Sequence, residues 1–434
     1  MPTLIDDLAA LVRIPSIAFP GFDPANVLRG ADEVVRILSD AGFPTVRKIE
    51  MDGGMPAVYA EAPGPPGSPT VLLYAHYDVQ PAGDESLWQT PPFDPVVRDG
   101  QMFGRGAADD KSGVVLHAGV MRAFAGKPPC TVRVIVEGEE EYGGKFEDYP
   151  RENPDLFAAD AIIVADTGNV VIGEPTFTTA LRGMADAVVE VRTLEDSVHS
   201  GMFGGPAPDA LLALIGLLST LRDENGDCAI AGIPSSAWTG AEEDEPTFRQ
   251  MAGVLEGQPL LGTGTVSSRL ISMPTVNVVG IDAPSVDEAI NAVIPRARAK
   301  VSLRIPPEAD PEASMEALVQ HLRSKAPWGI EVEVTPGSSG AGYTANTSGP
   351  AYASARAAMK SAYGKDAVEM GAGGSIPLIE VLADVVPDAE LLLMGAQDGM
   401  ARIHAPNERL DLGELENAIV AEALLLVNLA ADRG

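Results

Sequence analysis

The sequence predicts an α/β protein in which a second, smaller α+β domain interrupts the first. Three observations support this prediction. The chain has 434 residues, which is more than a single hydrophobic core usually serves. Short apolar strand-like runs alternate with helix-like runs towards both ends of the chain, as in a mostly parallel sheet flanked by helices. Between them lie strands with a clean alternation of polar and apolar residues, which is typical of an antiparallel sheet with one exposed face.

The N-terminal part of the chain shows the helix and strand patterns in order. Two stretches with helical spacing of apolar residues come first, and a Pro/Gly-rich surface loop then leads into a buried strand. A helix and two further buried strands follow. The predicted elements are helices at 4–13, 30–41 and 113–124, a loop at 62–69, and strands at 71–74, 131–137 and 161–165.

The middle of the chain predicts the inserted domain. Its alternating strands lie at 187–192, 297–305 and 329–336, and its helices at 209–223, 285–294 and 312–324. From about residue 350 the pattern returns to a helix at 351–364, a buried strand at 390–395 and a final helix at 414–430. We therefore expect a first domain in two pieces, 1–181 and 339–434, and an inserted domain at 182–338.

Composition limits the partners and the location of the protein. The formal charge of −32 makes binding to nucleic acid or to an anionic membrane surface unfavourable. No apolar run is long enough to cross a bilayer, and the first residues lack the pattern of a signal peptide. Two cysteines, Cys130 and Cys228, are too few for a disulfide framework. We expect a cytoplasmic protein with no membrane or nucleic-acid partner.

The histidines divide into two groups. Among the five in the chain, His117 and His321 lie in helical patterns and are interpreted as ordinary packed residues. His76, His199 and His404 each lie in a polar, loop-like setting: AHYD, VHSGMFGG and IHAPNER. Imidazole groups at such positions are candidates for metal binding or catalysis.

Acidic residues lie at the ends of predicted strands and before a predicted helix. The acidic residues are Asp78, which lies beside His76, then Asp109, Glu140 with Glu141, and Asp166. Open α/β sheets place their sites at the carboxyl ends of the strands. Imidazole and carboxylate without thiolate suit Zn, Mn or Co, and one carboxylate too many for one ion indicates two ions that share a bridge. Two simpler interpretations stay open: a polar turn after the first strand, and a helix N-cap at Asp109.

Nine short motifs place this chain beside a known family. In order they are AHYDVQP, GRGAADDKSG, EGEEEYGG, VADT, LRG, VHSGMFGG, MPTVNVVGI, GGSIP and IHAPNER, and they span residues 76 to 409. The chain resembles the M20 metallopeptidases, most closely the branch of carnosinase-like cytosolic dipeptidases and related carboxypeptidases. Any one motif is weak, but nine in the family's order are highly specific.

The resemblance implies a centre with two divalent metal ions. His76 and Asp166 would hold one ion, Glu141 and His404 the other, and Asp109 would bridge both. Zinc is the first expectation, with Mn or Co as alternatives.

The resemblance also implies a catalytic role for the neighbouring carboxylates. Asp78 would hydrogen-bond the His76 imidazole and fix its orientation, and Glu140 would be the general base. The run of three glutamates leaves a second register open, in which Glu139 and Glu140 form the catalytic pair. The spacing from Glu137 favours Glu140 and Glu141.

The inserted domain matches the family's lid and dimerisation domain. His199 would reach in from the partner subunit and stabilise an oxyanion. Arg304 would pair with a substrate carboxylate, Asn277 would line the substrate pocket, and Gly374 and Ser375 could supply backbone N–H donors. A plain glycine turn is the alternative for the last two residues. The resemblance thus implies a homodimer formed through the lid domain.

The expected function is hydrolysis of the amide bond in dipeptides or small peptides with a free C-terminal carboxylate. Within the family, the alternative is a deacylase acting on N-acetyl or N-succinyl amino acids, with an acyl amino acid as its substrate. A remote alternative is a protein that only binds metal or peptide. Such a protein would be expected to have lost Glu140 or a metal ligand, and this chain retains them all.

Overall fold

The protein folds into two compact units. The computed structural model describes residues 1–374 and 376–431. The first unit contains Met1–Thr179, Ala345–Met370 and the chain from Leu378 onwards, and the second contains Ala180–Thr344 and Gly371–Pro377. The chain thus leaves the first unit twice, at residue 180 and at residue 371, and returns each time. The predicted α/β fold class is confirmed.

The secondary structure follows the predicted alternation. The strands are β1 (Thr45–Ile49), β2 (Ala57–Ala62), β3 (Thr70–His76), β4 (Val96–Arg98), β5 (Gln101–Phe103), β6 (Thr131–Glu137), β7 (Ala161–Val164), β8 (Gly168–Asn169), β9 (Thr176–Leu181), β10 (Gly183–Arg192), β11 (Val198–His199), β12 (Thr275–Asp282), β13 (Ala292–Val293), β14 (Arg296–Ile305), β15 (Val332–Gly340), β16 (Tyr343–Thr344), β17 (Val368–Ala372), β18 (Glu390–Leu393), β19 (Gln397–Asp398) and β20 (Arg409–Asp411). The α-helices are α1 (Pro2–Val12), α2 (Pro24–Asp40), α3 (Lys111–Ala123), α4 (Tyr149–Glu152), α5 (Pro154–Phe157), α6 (Ser200–Phe203), α7 (Ala210–Leu218), α8 (Glu245–Met251), α9 (Pro311–Ser324), α10 (Pro350–Tyr363), α11 (Pro377–Val385) and α12 (Leu412–Ala431).

The main sheet of the first unit has a parallel centre and antiparallel edges. Seven of its nine strands follow the order β1-β2-β6-β3-β7-β18-β9. The pairs β6–β3, β3–β7 and β7–β18 are parallel, whereas β1–β2, β2–β6 and β18–β9 are antiparallel. The sheet is therefore more mixed than the sequence indicated. The short connection from β1 to β2 explains why these two edge strands are antiparallel, because parallel strands cannot be joined by so few residues.

The core of the first unit covers both faces of the parallel centre. From Val71 to His76 every residue of β3 is buried, as expected for a strand with a neighbour on each side and helices on both faces. Helix α3 is buried from Lys111 to Met121, so this helix lies inside the unit. The parallel strands β3, β6 and β7 place their carboxyl ends at one edge of the sheet.

The second unit is built on an antiparallel sheet of four strands. The strand order is β12-β14-β10-β15. Strand β14 alternates between exposed and buried residues along its length, so the predicted half-exposed strand is confirmed. The buried face of the sheet packs against apolar residues of α7 and α9, including Leu214, Leu217 and Leu318.

One predicted helix is wrong. The stretch 285–294 forms a loop that ends in the short strand β13 rather than a helix. Its apolar residues have helical spacing, yet Val286 is 93% exposed and Ile290 is 76% exposed, so they face no core. The carbonyl groups of Asn291 and Ile294 accept backbone hydrogen bonds from Ser200 and Ala210, so the end of this stretch pairs with other segments.

Among the described helices, none combines the length and the apolar character that a membrane span requires.

Candidate metal centre

The predicted metal ligands meet at the carboxyl edge of the parallel strands. His76 is the last residue of β3, and Asp166 lies two residues after β7. Asp109 lies just before α3, and Glu141 lies four residues after β6. The fifth predicted ligand, His404, lies in the loop before β20. Because parallel strands end at the same edge, residues far apart in the sequence come together here.

His76 lies at the centre of the first group. Its side chain is fully buried, and its Nε2 lies 3.1 Å from Asp109 Oδ1 and 3.8 Å from Asp166 Oδ1. Its Nδ1 faces Asp78, at 3.2 Å from the carbonyl oxygen and 3.4 Å from Oδ1. The ring therefore points one nitrogen at the carboxylate cluster and holds the other against a fixed acceptor.

His404 joins the second group to the first through Asp109. Its Nε2 lies 3.0 Å from Asp109 Oδ2 and 3.1 Å from Glu141 Oε2. The two oxygens of Asp109 thus face two different imidazoles. His404 adopts a left-handed φ of 59°, and Arg402 and Asn407 in the same loop also have positive φ. Such a conformation is costly for residues other than glycine and is frequent at functional sites.

Asp78 has a second set of contacts that the sequence did not predict. Its Oδ1 accepts a hydrogen bond from the backbone N–H of Glu140 at 3.1 Å, and its Oδ2 accepts one from the N–H of Glu141 at 3.1 Å. One fully buried carboxylate therefore holds His76 and the backbone of the glutamate pair in the same place.

The glutamates differ in what their side chains reach. The Glu141 carboxylate lies beside His404 and also accepts a hydrogen bond from Gln80 Nε2 at 2.8 Å. The carboxylate of Glu139 instead accepts a hydrogen bond from the backbone N–H of Lys145 at 3.4 Å, outside the cluster. This geometry favours the register in which Glu140 and Glu141 are the functional pair.

Asp110 is a neighbour of the centre that was not singled out from the sequence. The carboxylates of Asp110 and Asp166 and the imidazole of His76 form a group whose ligand atoms are all within 4.8 Å of one another. Asp109, Glu141 and His404 form a second such group. Asp110 is also the N-cap of α3, where it accepts from the N–H of Gly113 at 3.1 Å. Its capping position was visible in the sequence, but its approach to His76 depends on the fold.

Glu408 supports the loop that carries Asp109. This fully buried carboxylate accepts from the N–H groups of Gly106, Ala108 and Asp109 at 3.0, 3.0 and 3.1 Å. It also forms an ion pair of 2.8 Å with Arg105. The sequence analysis quoted this glutamate only as part of IHAPNER and assigned it no role.

The electrostatics of the centre reflect an excess of buried negative charge. Hydrogen bonds to Asp109 and Glu141 raise the pKa of His404 to about 10. Burial and the charge of Asp109 raise the pKa of Asp166 to about 6. Burial, together with the charge of Asp166, raises the pKa of Glu140 well above its usual range. A site that draws protons onto its groups in this way also attracts divalent cations, and its imidazole and carboxylate donors suit them.

The other predicted site residues lie in the second unit. His199 is exposed in β11, and its Nδ1 accepts a hydrogen bond from the N–H of Gly201 at 3.1 Å. Asn277 is exposed in β12, and Arg304 lies in the neighbouring strand β14, opposite Thr275. Gly374 is exposed after β17. Ser375 lies outside the described residues.

Comparison with known proteins gives consistent relatives. The sequence model described as Peptidase family M20/M25/M40 matches residues 72–428. The cysteinylglycine-S-conjugate dipeptidase of Corynebacterium striatum is 39% identical over 368 residues, covering 83% of this chain and 81% of that protein. The Beta-Ala-His dipeptidase of Rattus norvegicus is 29% identical over 382 residues, covering 82% of this chain and 76% of that protein.

A solved structure shares the fold. The dipeptidase Dug1p from Saccharomyces cerevisiae superposes with a TM-score of 0.87 at 23% identity, and the match covers 99% of this chain and 96% of that one. The family match spans most of the sequence and includes all residues of the candidate centre. The resemblance predicted from the nine motifs is confirmed: the chain belongs to peptidase family M20/M25/M40.

Proposed function

We propose that the protein is a metal-dependent dipeptidase that hydrolyses the amide bond of small peptides with a free C-terminal carboxylate. The observation that carries this proposal is the convergence of two ligand groups on Asp109 at the carboxyl edge of the parallel strands. The two curated relatives described above are both named dipeptidases, which favours this reaction over the deacylation of N-acyl amino acids.

The ligand groups fit a pair of divalent ions. His76 and Asp166 would hold one, Glu141 and His404 would hold the other, and Asp109 would bridge both. The donors are nitrogen and oxygen, and zinc is the first candidate, with Mn or Co next. When bound, such ions polarise the substrate carbonyl and lower the pKa of a water molecule.

Glu140 is the proposed general base. Its carboxylate takes a proton from the attacking water as the new C–O bond forms, and it then gives a proton to the leaving nitrogen as the C–N bond breaks. Burial and the charge of Asp166 raise the pKa of Glu140, which favours uptake of a proton by this carboxylate. The hydrogen bond from its own backbone N–H to Asp78 fixes the residue's position.

His199 is the proposed donor to the oxyanion. Its Nδ1 accepts from Gly201, so in the neutral ring the proton lies on Nε2, which makes Nε2 a hydrogen-bond donor. The residue is exposed on the second unit. We propose that it acts on the site of the partner subunit when the second unit closes as a lid.

A homodimer formed through the second unit is part of the same proposal. Strand β12 is an edge strand of its sheet, and it leaves Val278, Val279 and Ile281 44%, 59% and 50% exposed. Helix α7 exposes Leu212 and Ile215 by 59% and 50%. A long exposed apolar edge strand favours pairing with another chain, so we propose that a second copy of the protein binds here and buries it.

Arg304, Asn277 and Gly374 are proposed to bind the substrate. A guanidinium matches the planar carboxylate at the end of a dipeptide, which suits the proposed role of Arg304. We also propose a cytoplasmic location. Both Cys130 and Cys228 are free thiols, as expected in a reducing compartment.

A hydrolysis screen tests the proposal. Purified, metal-stripped protein is supplied with Zn²⁺, Mn²⁺ or Co²⁺ and offered a panel of dipeptides beside N-acetyl and N-succinyl amino acids. We expect metal-dependent cleavage of dipeptides. Cleavage of only the acylated compounds would move the protein to the deacylases, and no cleavage by a metal-loaded protein would contradict the proposed activity.

A further inference from the structure

A cavity of about 400 Å³ lies inside the second unit, beside the start of β12. Three guanidinium groups and a larger set of apolar side chains line it. The arginines are Arg182, Arg222 and Arg269, and the apolar wall includes Phe248, Val266 and Leu270. This size lies within the range of sites that bind small organic molecules.

Arg182 is a buried positive charge without an ionic partner among the described residues. It is 7% exposed, and it donates to the Gly373 carbonyl at 3.2 Å and to the Thr275 hydroxyl at 2.9 Å. Burial and the nearby charge of Arg304 lower its pKa to about 10. A buried guanidinium whose hydrogen-bond partners are all neutral is unfavourable, and an anion beside it would stabilise the charge.

The other two arginines are also held by neutral groups. Arg222 donates to the carbonyl groups of Gly226 and Val276 at 2.6 and 2.7 Å. Arg269 donates to the Leu261 carbonyl at 2.8 Å. These bonds fix the positions of the guanidinium groups and leave their charges uncompensated.

The one acidic residue on the adjoining small cavity does not neutralise them. Asp227 lies on that cavity's wall with Arg222 and Arg269, but its carboxylate accepts from the N–H and hydroxyl of Thr263. Within the described ranges 1–374 and 376–431, no carboxylate forms an ion pair with any of the three arginines that line the cavity. In a chain with 62 acidic and 30 basic residues, this concentration of positive charge is unusual.

We propose that this cavity binds a small organic anion, a carboxylate joined to an apolar body. The guanidinium groups pair with the carboxylate, and the apolar wall takes the rest of the molecule. The inference goes beyond the proposed hydrolysis, because binding here requires neither a metal ion nor catalysis. The anion has two possible sources: the peptide substrate or its product, and an independent carboxylate ligand.

Calorimetric titration of the full, metal-free chain tests the proposal with isocaproate as the probe and isocaproamide as its neutral match. We expect isocaproate to bind about tenfold more tightly than the amide, and more weakly as salt increases. Arg222→Gln and Arg269→Gln, which keep hydrogen-bond donors but lose the charge, are each expected to weaken isocaproate about tenfold. Arg249→Gln is the matched control, since Arg249 lies next to the lining residue Phe248 but forms an ion pair with Glu245 and does not line the cavity.

Competition then identifies the source of the anion. A dipeptide that displaces isocaproate from the metal-free protein assigns the cavity to the substrate or product, and a dipeptide that does not displace it assigns the cavity to an independent ligand. Equal affinity for probe and amide on the wild-type protein would overturn the proposal, as would unchanged binding in both folded glutamine variants. The protein could also prove inactive on every dipeptide and still bind isocaproate through its arginines. That result would overturn the proposed function and leave the proposed anion site standing.

Discussion

Asp78 shows how much one buried side chain organises in this protein. Its carboxylate faces His76 and accepts hydrogen bonds from the backbone of Glu140 and Glu141. His76 is two residues from Asp78 in the sequence, and the contact between them is implied by the family resemblance. Glu140 and Glu141 are about sixty residues from Asp78 in the sequence. Their contacts with Asp78 depend on β3 and β6 being parallel neighbours. Local spacing alone could not predict them.

Replacing Asp78 tests this double role. In Asp78→Asn an amide NH₂ replaces one acceptor oxygen and faces a backbone N–H, so one hydrogen bond is lost and a donor meets a donor. We expect the affinity for Zn²⁺ to fall about 10- to 100-fold, measured by competition with a chelator. Asp84→Asn is the control, because Asp84 is exposed and its carboxylate accepts a hydrogen bond from the N–H of Ser86, away from the centre. Unchanged affinity in Asp78→Asn would contradict the role assigned to this residue.

Glu140→Gln separates the general base from the metal ligands. The amide has nearly the same shape but cannot accept a proton, so we expect kcat to fall about 10³-fold while the bound metal stays the same. Steady-state kinetics and metal analysis measure the two quantities. Glu139→Gln is the matched control and tests the other register. A large loss of kcat in Glu139→Gln with little loss in Glu140→Gln would contradict our assignment.

At the scale of elements, two loops fix the centre to the rest of the first unit. The loop before α3 carries Asp109, and the loop before β20 carries His404. Glu408 joins them, since it belongs to the second loop and accepts three backbone N–H groups of the first. The loops can therefore keep Asp109 and His404 together before any ion binds.

Glu408→Gln tests this connection. The change removes the ion pair with Arg105 and leaves a buried guanidinium without its charge partner. We expect the free energy of unfolding of the metal-free protein to fall by about 3 kcal/mol, measured by urea denaturation. Glu416→Gln, at an exposed position of α12, is expected to change it by less than about 0.5 kcal/mol. A change in Glu408→Gln as small as in the control would show that the loops do not depend on this carboxylate.

Elements with strong periodicity could be predicted, and those decided by their neighbours could not. The helix at 351–364 and the strand at 131–137 match α10 and β6 closely. The stretch 285–294 has the spacing of a helix but no buried face to support one, and its backbone pairs with other segments instead. Likewise the antiparallel edges of the main sheet depend on connection lengths that apolar patterns do not report.

At the scale of the whole molecule, the family and the fold class could be predicted because the nine motifs are spread over most of the chain. The arginine-lined cavity could not, since its three arginines come from segments far apart in the sequence. The motif LRG contains Arg182, but nothing in the sequence pattern indicated its partners. The candidate centre accounts for only a few of the 62 acidic residues.

The proposed dimer can be tested with a substitution that is expected to convert the sedimenting species from dimer to monomer. Val279→Asp places a charge on the exposed apolar edge of β12, which a second copy would have to bury. We expect the variant to sediment as a monomer where the wild type sediments as a dimer, and to lose activity if His199 acts across subunits. Val97→Asp, at a 49% exposed position in the first unit, is the control.

Mixed dimers give an independent check of the action across subunits. His199→Ala removes the proposed oxyanion donor, and Glu140→Gln removes the proposed general base. In a re-formed mixed dimer one site has both groups intact, so part of the activity is expected to return. No recovery after subunits have demonstrably exchanged would place His199 in its own subunit's site or outside catalysis.

The most direct test of the central claim is a titration of metal-stripped protein with Zn²⁺, in which bound ions and dipeptide hydrolysis are followed together. Two ion sites that share Asp109 predict two bound ions per chain and hydrolysis that reaches its maximum as the second site fills. In Asp109→Asn both sites are expected to weaken together. Full hydrolysis with one ion or none, or an Asp109→Asn protein that still binds two ions tightly, would contradict the account.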